Sequence, residues 1–364
     1  MNTLPLPDSK KYAQVKVVDP QATKETKALY HNLKQIAQSQ TLFGHEDALA
    51  YGVEWKEWHK MRSDIKDVCG QHPALFGWEM SKLGKYEHNI DSVDFEAMKG
   101  WMKQVYKMGG INTISWHMDQ FGNDKDSWQT GDRVVETILP GGKYHEDFKG
   151  KLDLFADYIE DLKVGFIFKK QVPIIFRPWH EHSGSWFWWG ADWCTPEEYK
   201  QLWRFTVEYL RDEKGLNNLL YCYSPDIVRD EAHYLERYPG DEYVDILGLE
   251  DYHDFRAAGN PEDLPARLDM LVQLARKKGK VAALSETGFE TIPQEDWWTN
   301  TFARLIKSGA YSSGIAYAMV WRNGRPDHHY APFPGHPSAV DFNKMSQDDM
   351  FIFEDNLPEL YKIK

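Results

Sequence analysis

Alternation is the feature that most constrains this chain. Short apolar runs recur at Thr41–Gly44, Ala74–Trp78, Ile111–Trp116, Val172–Phe176, Leu219–Tyr223, Val244–Leu249, Val281–Ser285 and Ile315–Val320. Most are separated by segments with helical spacing, over 23–38, up to Cys69, and over 92–108, 148–164, 195–213, 264–278 and 297–307; the tail from Asp341 to Lys364 reads as a last helix or two. Thr195-Pro196-Glu197-Glu198 is the clearest helix start, a capping box with proline at the first helical position. Strands joined by helical crossovers form right-handed βαβ units and a parallel sheet. Eight of them close into a (β/α)8 TIM barrel. No GxGxxG or P-loop follows any strand, which disfavours an open nucleotide-binding sheet. No linker or composition shift marks a second domain, so the expectation is an N-terminal arm over 1–22 and one barrel over 23–364.

In such a barrel the functional residues sit at the strand C-termini. Here those ends carry His45, Glu79, His117, Glu181, Tyr252, Glu286 and Trp321. The segment Val172–Gly190 is the most informative. A buried strand breaks at Arg177-Pro178, because proline cannot donate to the ladder. Trp179-His180-Glu181-His182 follows, then a small-residue turn and Trp186-Phe187-Trp188-Trp189. Read as a site, this is a carboxylic acid beside an aromatic platform for a sugar ring; read as structure, it is core packing next to a solvated charge. Glu181 and Glu286 are the clearest carboxylate pair, and glycoside hydrolysis needs two. Apolar surroundings would raise the pKa of Glu181 and suit it to donate a proton, while Ser285 and Thr287 would hold Glu286 charged. Glu79, Glu250 and Glu290 are further candidates, each more commonly structural.

Composition narrows the partners. A formal net charge of −13 argues against nucleic acid or an acidic membrane surface. The 15 tryptophans suit a carbohydrate ligand. Cys69, Cys194 and Cys222 are too scattered for a zinc site or a disulfide framework. No apolar run is long enough to span a bilayer, and the N-terminus carries no signal peptide. The chain is therefore expected to be cytosolic, or a mature or recombinant form that has lost its signal.

The motifs FGHEDALAYG (43–52), PALFGWEM (73–80), GGINTISWHMD (109–119), FRPWHEHSGSWFWWG (176–190), LLYCYSPD (219–226), SETGFE (285–290), VWRN (320–323) and YAPFPGHPSAVDF (330–342) resemble glycoside hydrolase family 26, whose best-known members are β-1,4-mannanases. The likeness runs in order through almost the whole chain. It implies a retaining, endo-type hydrolase that cleaves mannan, galactomannan or manno-oligosaccharides by double displacement, with Glu181 as acid/base and Glu286 as nucleophile. His117 and His180 are implied as ligands of the reacting sugar, Trp186 and Trp321 as aromatic walls, Arg322 as the contact to the next sugar, and Tyr252 as the hydrogen-bond partner of the nucleophile. The family also includes mannobiose-releasing, glucan-cleaving and xylan-cleaving members, and the loops 121–149 and 290–298 are expected to set that choice. The resemblance further implies no cofactor or metal, a monomer, and a secreted, periplasmic or cell-surface location.

Two other classes compete. A metal-dependent barrel hydrolase would use His45, His117, His180 and His182, but it has no need of an aromatic platform. A catalytically inert polysaccharide-binding barrel would be expected to have lost one of the two carboxylates.

Overall fold

The computed structural model describes residues 8–56, 60–226, 228–256 and 259–364. Eight parallel strands close on themselves: β1 (Thr41–Glu46), β2 (Leu75–Glu79), β3 (Ile111–Ser115), β4 (Ile174–Arg177), β5 (Leu219–Tyr223), β6 (Ile246–Asp251), β7 (Val281–Thr287) and β8 (Tyr317–Val320). Each pairs with its sequence neighbour, and β8 returns to β1 with Leu42 opposite Tyr317 and His45 opposite Val320. Every residue of these strands is buried. That is why they read as continuous apolar runs rather than alternating ones.

The interior is packed. Leu42, Leu75, Ile111, Ile175, Leu220, Ile246, Val281 and Tyr317 form one apolar cluster with Leu29, Leu33 and Ile36 of the helix Lys24–Ile36. That helix starts at Thr23, whose side chain accepts from Thr26 N, and it stoppers the N-terminal end of the barrel. The arm before it is tied down where Val18 N donates to Asp245 Oδ1 at 2.7 Å. The outer core lies between strands and crossover helices. The expected capping box forms, with Thr195 and Glu198 satisfying each other's backbone N–H groups at the start of Pro196–Glu208.

Some boundaries differ from expectation. The helix before β2 is only Asp64–Cys69, and that before β4 is His145–Glu160, because Gly165 introduces a small hairpin that pairs Lys163–Val164 with Lys170–Gln171. The stretch 121–149 holds a short helix, Val134–Ile138. The helix Leu264–Lys278 matches, but Trp298–Ala303 is wound with π-type bonds before the α-helical Arg304–Ser308.

The tail supplies one last helix, Ala339–Met345, and then departs from expectation. Beyond Ala339–Met345 it gives no further α-helix; instead Phe351–Ile352 (β9) pairs parallel with Thr41 and Leu42. Strand β2 begins only opposite Gly44, so the first residues of β1 have an open edge that β9 fills. Phe353 then stacks on Phe43 with ring centroids 5.0 Å apart. The tail is thus part of the core. Phe353→Ala should cost about 3–5 kcal/mol, as for other buried aromatics; urea unfolding measures it, and a loss under about 1 kcal/mol would mean that the tail is peripheral.

Candidate functional site

The polar strand ends converge at the C-terminal mouth, and their positions follow from local backbone chemistry. On β7, Leu284 pairs with Leu249 but Glu286 pairs with Glu250; on the other side Leu284 pairs with Ala318 and Thr287 with Val320. Ser285 is therefore the extra residue of a β-bulge. A bulge re-aims the side chain that follows it, and here that is Glu286. Past β4 the chain turns sharply, with Trp179 at φ 53° and Glu181 at φ 52°. Left-handed backbone at non-glycine residues is strained and persists only where its surroundings impose it. Three hydrogen bonds do so: Tyr199 OH to Trp179 O, Trp189 Nε1 to His180 O, and Glu181 N to Ser224 O.

At the centre lies Arg177, fully buried, donating from Nη1 to Glu250 Oε1 and from Nη2 to Glu286 Oε1. Burial opposes its charge, but the two carboxylates hold it protonated. Burial and then the charge of Glu286 push the Glu250 carboxyl well above its usual range. Tyr252 OH donates to Glu286 Oε2 at 3.1 Å. Ser285 and Thr287, expected to support Glu286, instead donate to the carbonyls of Leu249 and Asp251 across the ladder.

Glu181 sits apart from this cation. It accepts from Trp186 Nε1 at 2.5 Å, and burial raises its pKa well above the ordinary carboxylate range, with the charges of Asp226 and Glu286 acting the same way. It lines a hollow of about 410 Å³ with Trp128, Trp186, Asp226, Tyr252 and Arg256. Trp186 is 41% exposed and covers Gly184, where a Cβ would lie 2.2 Å from Trp186 Cη2. Phe187, Trp188 and Trp189 are buried, so most of the expected platform is core packing. The exposed aromatic surface comes instead from Trp186 and from Trp128, whose indole stacks on His117 at 4.7 Å.

The two histidines form a polar chain with Glu79. Glu79 accepts from His117 N at 2.8 Å and from Ser115 Oγ at 3.0 Å, and it pairs with His117 Nδ1 at 2.7 Å. His117 Nε2 lies 3.3 Å from His180 Nε2. Burial opposes charge on His117, but the charge and hydrogen bond of Glu79 outweigh it and raise its pKa. Burial and the neighbouring His117 cation drive His180 well below its usual value. His117 is thus the donor and His180 a neutral acceptor at Nε2.

Trp321 is half-buried with its ring 6.2 Å from His117. Next to it Arg322 binds Asp91 at 3.0 Å and donates to Tyr51 OH at 3.4 Å, on a second hollow of about 420 Å³ that also includes Trp55 and Asp91. The mouth is therefore a cleft with one hollow at Glu181 and another at Arg322. Of the expected site residues, Glu181, Trp186, Tyr252 and Arg322 line these hollows, while Glu286, His117, His180 and Trp321 reach them through the contacts above.

The four-histidine metal arrangement does not assemble. His182 is buried between Tyr199 and Tyr223, and only His117 and His180 meet. Among the described residues the one candidate metal cluster is His180, Glu250 and Glu286, with ligand atoms within 4.8 Å. Arg177 already supplies a cation to both of these carboxylates, and a metal would have to displace it. Cys69, Cys194 and Cys222 are free thiols. Sequence reasoning missed Arg177, Asp226 and Arg256, and gave Glu250 only as a further candidate. The only signal for Arg177 was a charged residue inside a buried strand, a placement that requires a partner.

The Glu79–His117 pair makes a pH-dependent contribution to stability. Burial opposes charge on Glu79 too, but His117 draws it below its ordinary 4.5, while His117 is raised above 6.5. Its stabilisation is full between those two values, is lost as pH falls through the depressed Glu79 value, and is lost as pH rises through the raised His117 value. In Glu79→Gln the His117 ring should titrate at lower pH than in the parent, as followed by NMR of its ring protons; an unchanged midpoint would show that Glu79 does not hold the proton there.

Comparison with known proteins agrees with this geometry. The family model for glycosyl hydrolase family 26 matches residues 18–309. A mannan endo-1,4-beta-mannosidase of Bifidobacterium adolescentis is 32% identical over 94% of this chain, and one of Bacillus subtilis 33% identical over 52%. The chain spans only 36% and 52% of the length of these two relatives. Among solved structures, a GH26 beta-mannanase from Bacteroides ovatus superposes with a TM-score of 0.89 at 41% identity, covering 94% of this chain and 98% of that one. A modular endo-beta-1,4-mannanase from Cellulomonas fimi gives 0.86 at 32% identity, covering 96% and 79%. With four-fifths of its length matched by the family model and its strand ends arranged as described, the chain belongs to glycosyl hydrolase family 26.

Proposed function

We propose that this chain is a retaining endo-β-1,4-mannanase that acts on mannan, galactomannan or oligosaccharides derived from them. The observation that carries the reading is the contrast between two carboxyl groups at one cleft. Glu181 is pushed up by burial and accepts from a neutral indole N–H, whereas Glu286 accepts from a buried guanidinium and a tyrosine hydroxyl. A protonated Glu181 donates to the leaving glycosidic oxygen while the Glu286 carboxylate attacks the anomeric carbon; Glu181 then takes a proton from the water that releases the sugar. Tyr252 and Arg177 each donate to one oxygen of Glu286 and so hold the carboxylate in place for the attack; Glu250 remains beside the guanidinium when Glu286 becomes a neutral ester. Trp128, Trp186 and Trp321 provide apolar faces for sugar rings, and Arg322 the polar contact at the far hollow. The names of the relatives support mannan as the polymer. In this reading residues 23–364 are the catalytic unit and 1–22 an arm. No helix among the described residues is long and apolar enough to cross a membrane, and a polymeric substrate places the enzyme outside the cytoplasm, secreted, periplasmic or cell-surface.

The roles are testable. Glu181→Ala should retain rapid formation of the glycosyl-enzyme on activated aryl mannosides, which need little protonation, and should accumulate it; Glu286→Ala should give no burst. NMR of the first product should show retained configuration, and an inverted anomer would overturn the double displacement.

Specificity rests on His117 and His180. The donor–acceptor chain they form is oriented by Glu79, so a hydroxyl in the wrong orientation leaves buried polar groups unpaired, which is strongly discriminating. We expect kcat/KM on manno-oligosaccharides to exceed that on matched cello-oligosaccharides by about 100-fold or more. A ratio near unity would refute the mannan assignment and leave the hydrolase mechanism standing.

A further inference from the structure

The strongest feature outside the cleft is on the opposite end of the barrel. The hairpin formed by Lys163–Val164 and Lys170–Gln171 immediately precedes β4, so it hangs from the N-terminal end of the strand whose other end leads to Glu181. Its tip is Phe166, Ile167 and Phe168, exposed by 97%, 78% and 85%. Monomeric surfaces seldom present three consecutive large apolar side chains in this way, and such patches mark interaction sites. The hairpin is built rather than frayed. Gly165 takes φ +101°, and a Cβ there would lie 2.5 Å from Phe168 O, so glycine is required for the turn. Val172 N donates to Leu162 O at 2.8 Å, and Lys170 pairs with Glu25 at 2.7 Å.

Three lysines flank this tip, with three carboxylates set behind them. Lys163, Lys169 and Lys170 flank it with no carboxylate between them. Of the acidic groups beside it, Glu25 pairs with Lys170 and Asp161 with Lys99, while Glu160 at the helix end is exposed. Glu25 lies in the first turn of the helix that stoppers the barrel. Farther along that helix, Tyr30, His31 and Lys34 line a hollow of about 770 Å³ whose rim includes Lys11, Lys16 and Lys280. One face thus carries an apolar fingertip and a lysine-rich hollow, bridged by a single helix.

We propose that this face docks on an anionic phospholipid bilayer surface, with Phe166, Ile167 and Phe168 inserted at the boundary between headgroups and acyl chains and the lysines on the phosphates. A bilayer suits this geometry, because a projecting tip needs a yielding medium rather than a preformed groove. Lysines around an apolar tip keep their ammonium groups at headgroup level while their stems lie along the apolar surface. The net charge of −13 argued against an acidic surface for the chain as a whole. Charges on the far side are screened within about 8 Å at physiological salt, so this face decides the contact, and its hollow is lined by lysines and no acidic side chain. Docking in this orientation turns the catalytic mouth away from the lipid and toward a polymer in solution. This inference is independent of the substrate assignment.

Co-sedimentation of the intact chain with phosphatidylcholine vesicles, with and without about 30 mol% phosphatidylglycerol, tests it. The parent should bind the anionic vesicles at low salt, and binding should weaken as salt rises. The triple variant Phe166→Ser, Ile167→Ser, Phe168→Ser should lose on the order of tenfold in partitioning, and Lys163→Gln with Lys169→Gln should lose part of it. Hydrolysis of soluble oligosaccharide should be unchanged in both, which also reports that they fold. Failure of the parent to bind, equal binding by parent and triple variant, or equal binding to both lipid compositions would each overturn the proposal. So would a concentration-dependent dimer that the triple variant abolishes while vesicles go unbound, since a second copy would then be the occupant.

Discussion

The organisation of the catalytic mouth depends on one buried cation. Arg177 sits at the end of β4 with its guanidinium shared between Glu250 on β6 and Glu286 on β7, all three almost inaccessible to water. Removing a charge from water is expensive, and the cost is recovered only when the hydrogen-bonding positions are filled by partners of opposite charge. Arginine does this better than lysine, because its planar fork reaches two acceptors at once. The same contact ties three strands together beside the bulge at Ser285. Glu250 is in effect a structural carboxyl whose place in the network lets Glu286 share the cation.

Around this centre the environments of the ionisable groups diverge over short distances. Glu181 is raised by burial despite the nearby Arg256 cation; Glu79 raises His117; and burial and then the His117 charge lower His180. A cleft that is to bind a neutral sugar and move one proton benefits from this division. Each group has a defined charge state and a defined donor or acceptor role before the ligand arrives. The strained backbone at Trp179 and Glu181 belongs to the same design, since its cost is met by the hydrogen bonds from Tyr199 and Trp189 and by the packing of Trp188.

The two ends of the barrel divide the labour. The C-terminal end carries the polar cleft. The N-terminal end is closed by the apolar face of the helix Lys24–Ile36, by β9 and by the docked arm, leaving the hairpin tip as its one cluster of highly exposed consecutive apolar side chains among the described residues. The polymer-facing reading of one end and the lipid-facing reading of the other are consistent with each other but rest on separate residues.

Local chemistry was enough to determine much of this from sequence alone. Each barrel strand is buried on both faces, so it appears as an unbroken apolar run. The capping box at Thr195 and the glycine after Lys278 mark helix ends through hydrogen bonds only a few residues long. The strand-end positions of Glu181, Glu286, His117, Tyr252 and Trp321 follow from those runs, and they were legible for that reason. What the tertiary structure decided is whatever depends on residues far apart in the chain. The pairing of Arg177 with Glu250 and Glu286 spans 73 and 109 positions, and no local pattern encodes it. The aromatic run 186–189 looked uniform, but strand and helix packing buried three of its members and left Trp186 to the cleft, with Trp128 arriving from another loop. The tail became a strand because β1 had an open edge to fill, and the hairpin at 163–171 became a protruding tip because Gly165 turned the chain away from the core. Periodicity reports which side of an element is buried; only the assembled barrel determines what lies opposite it.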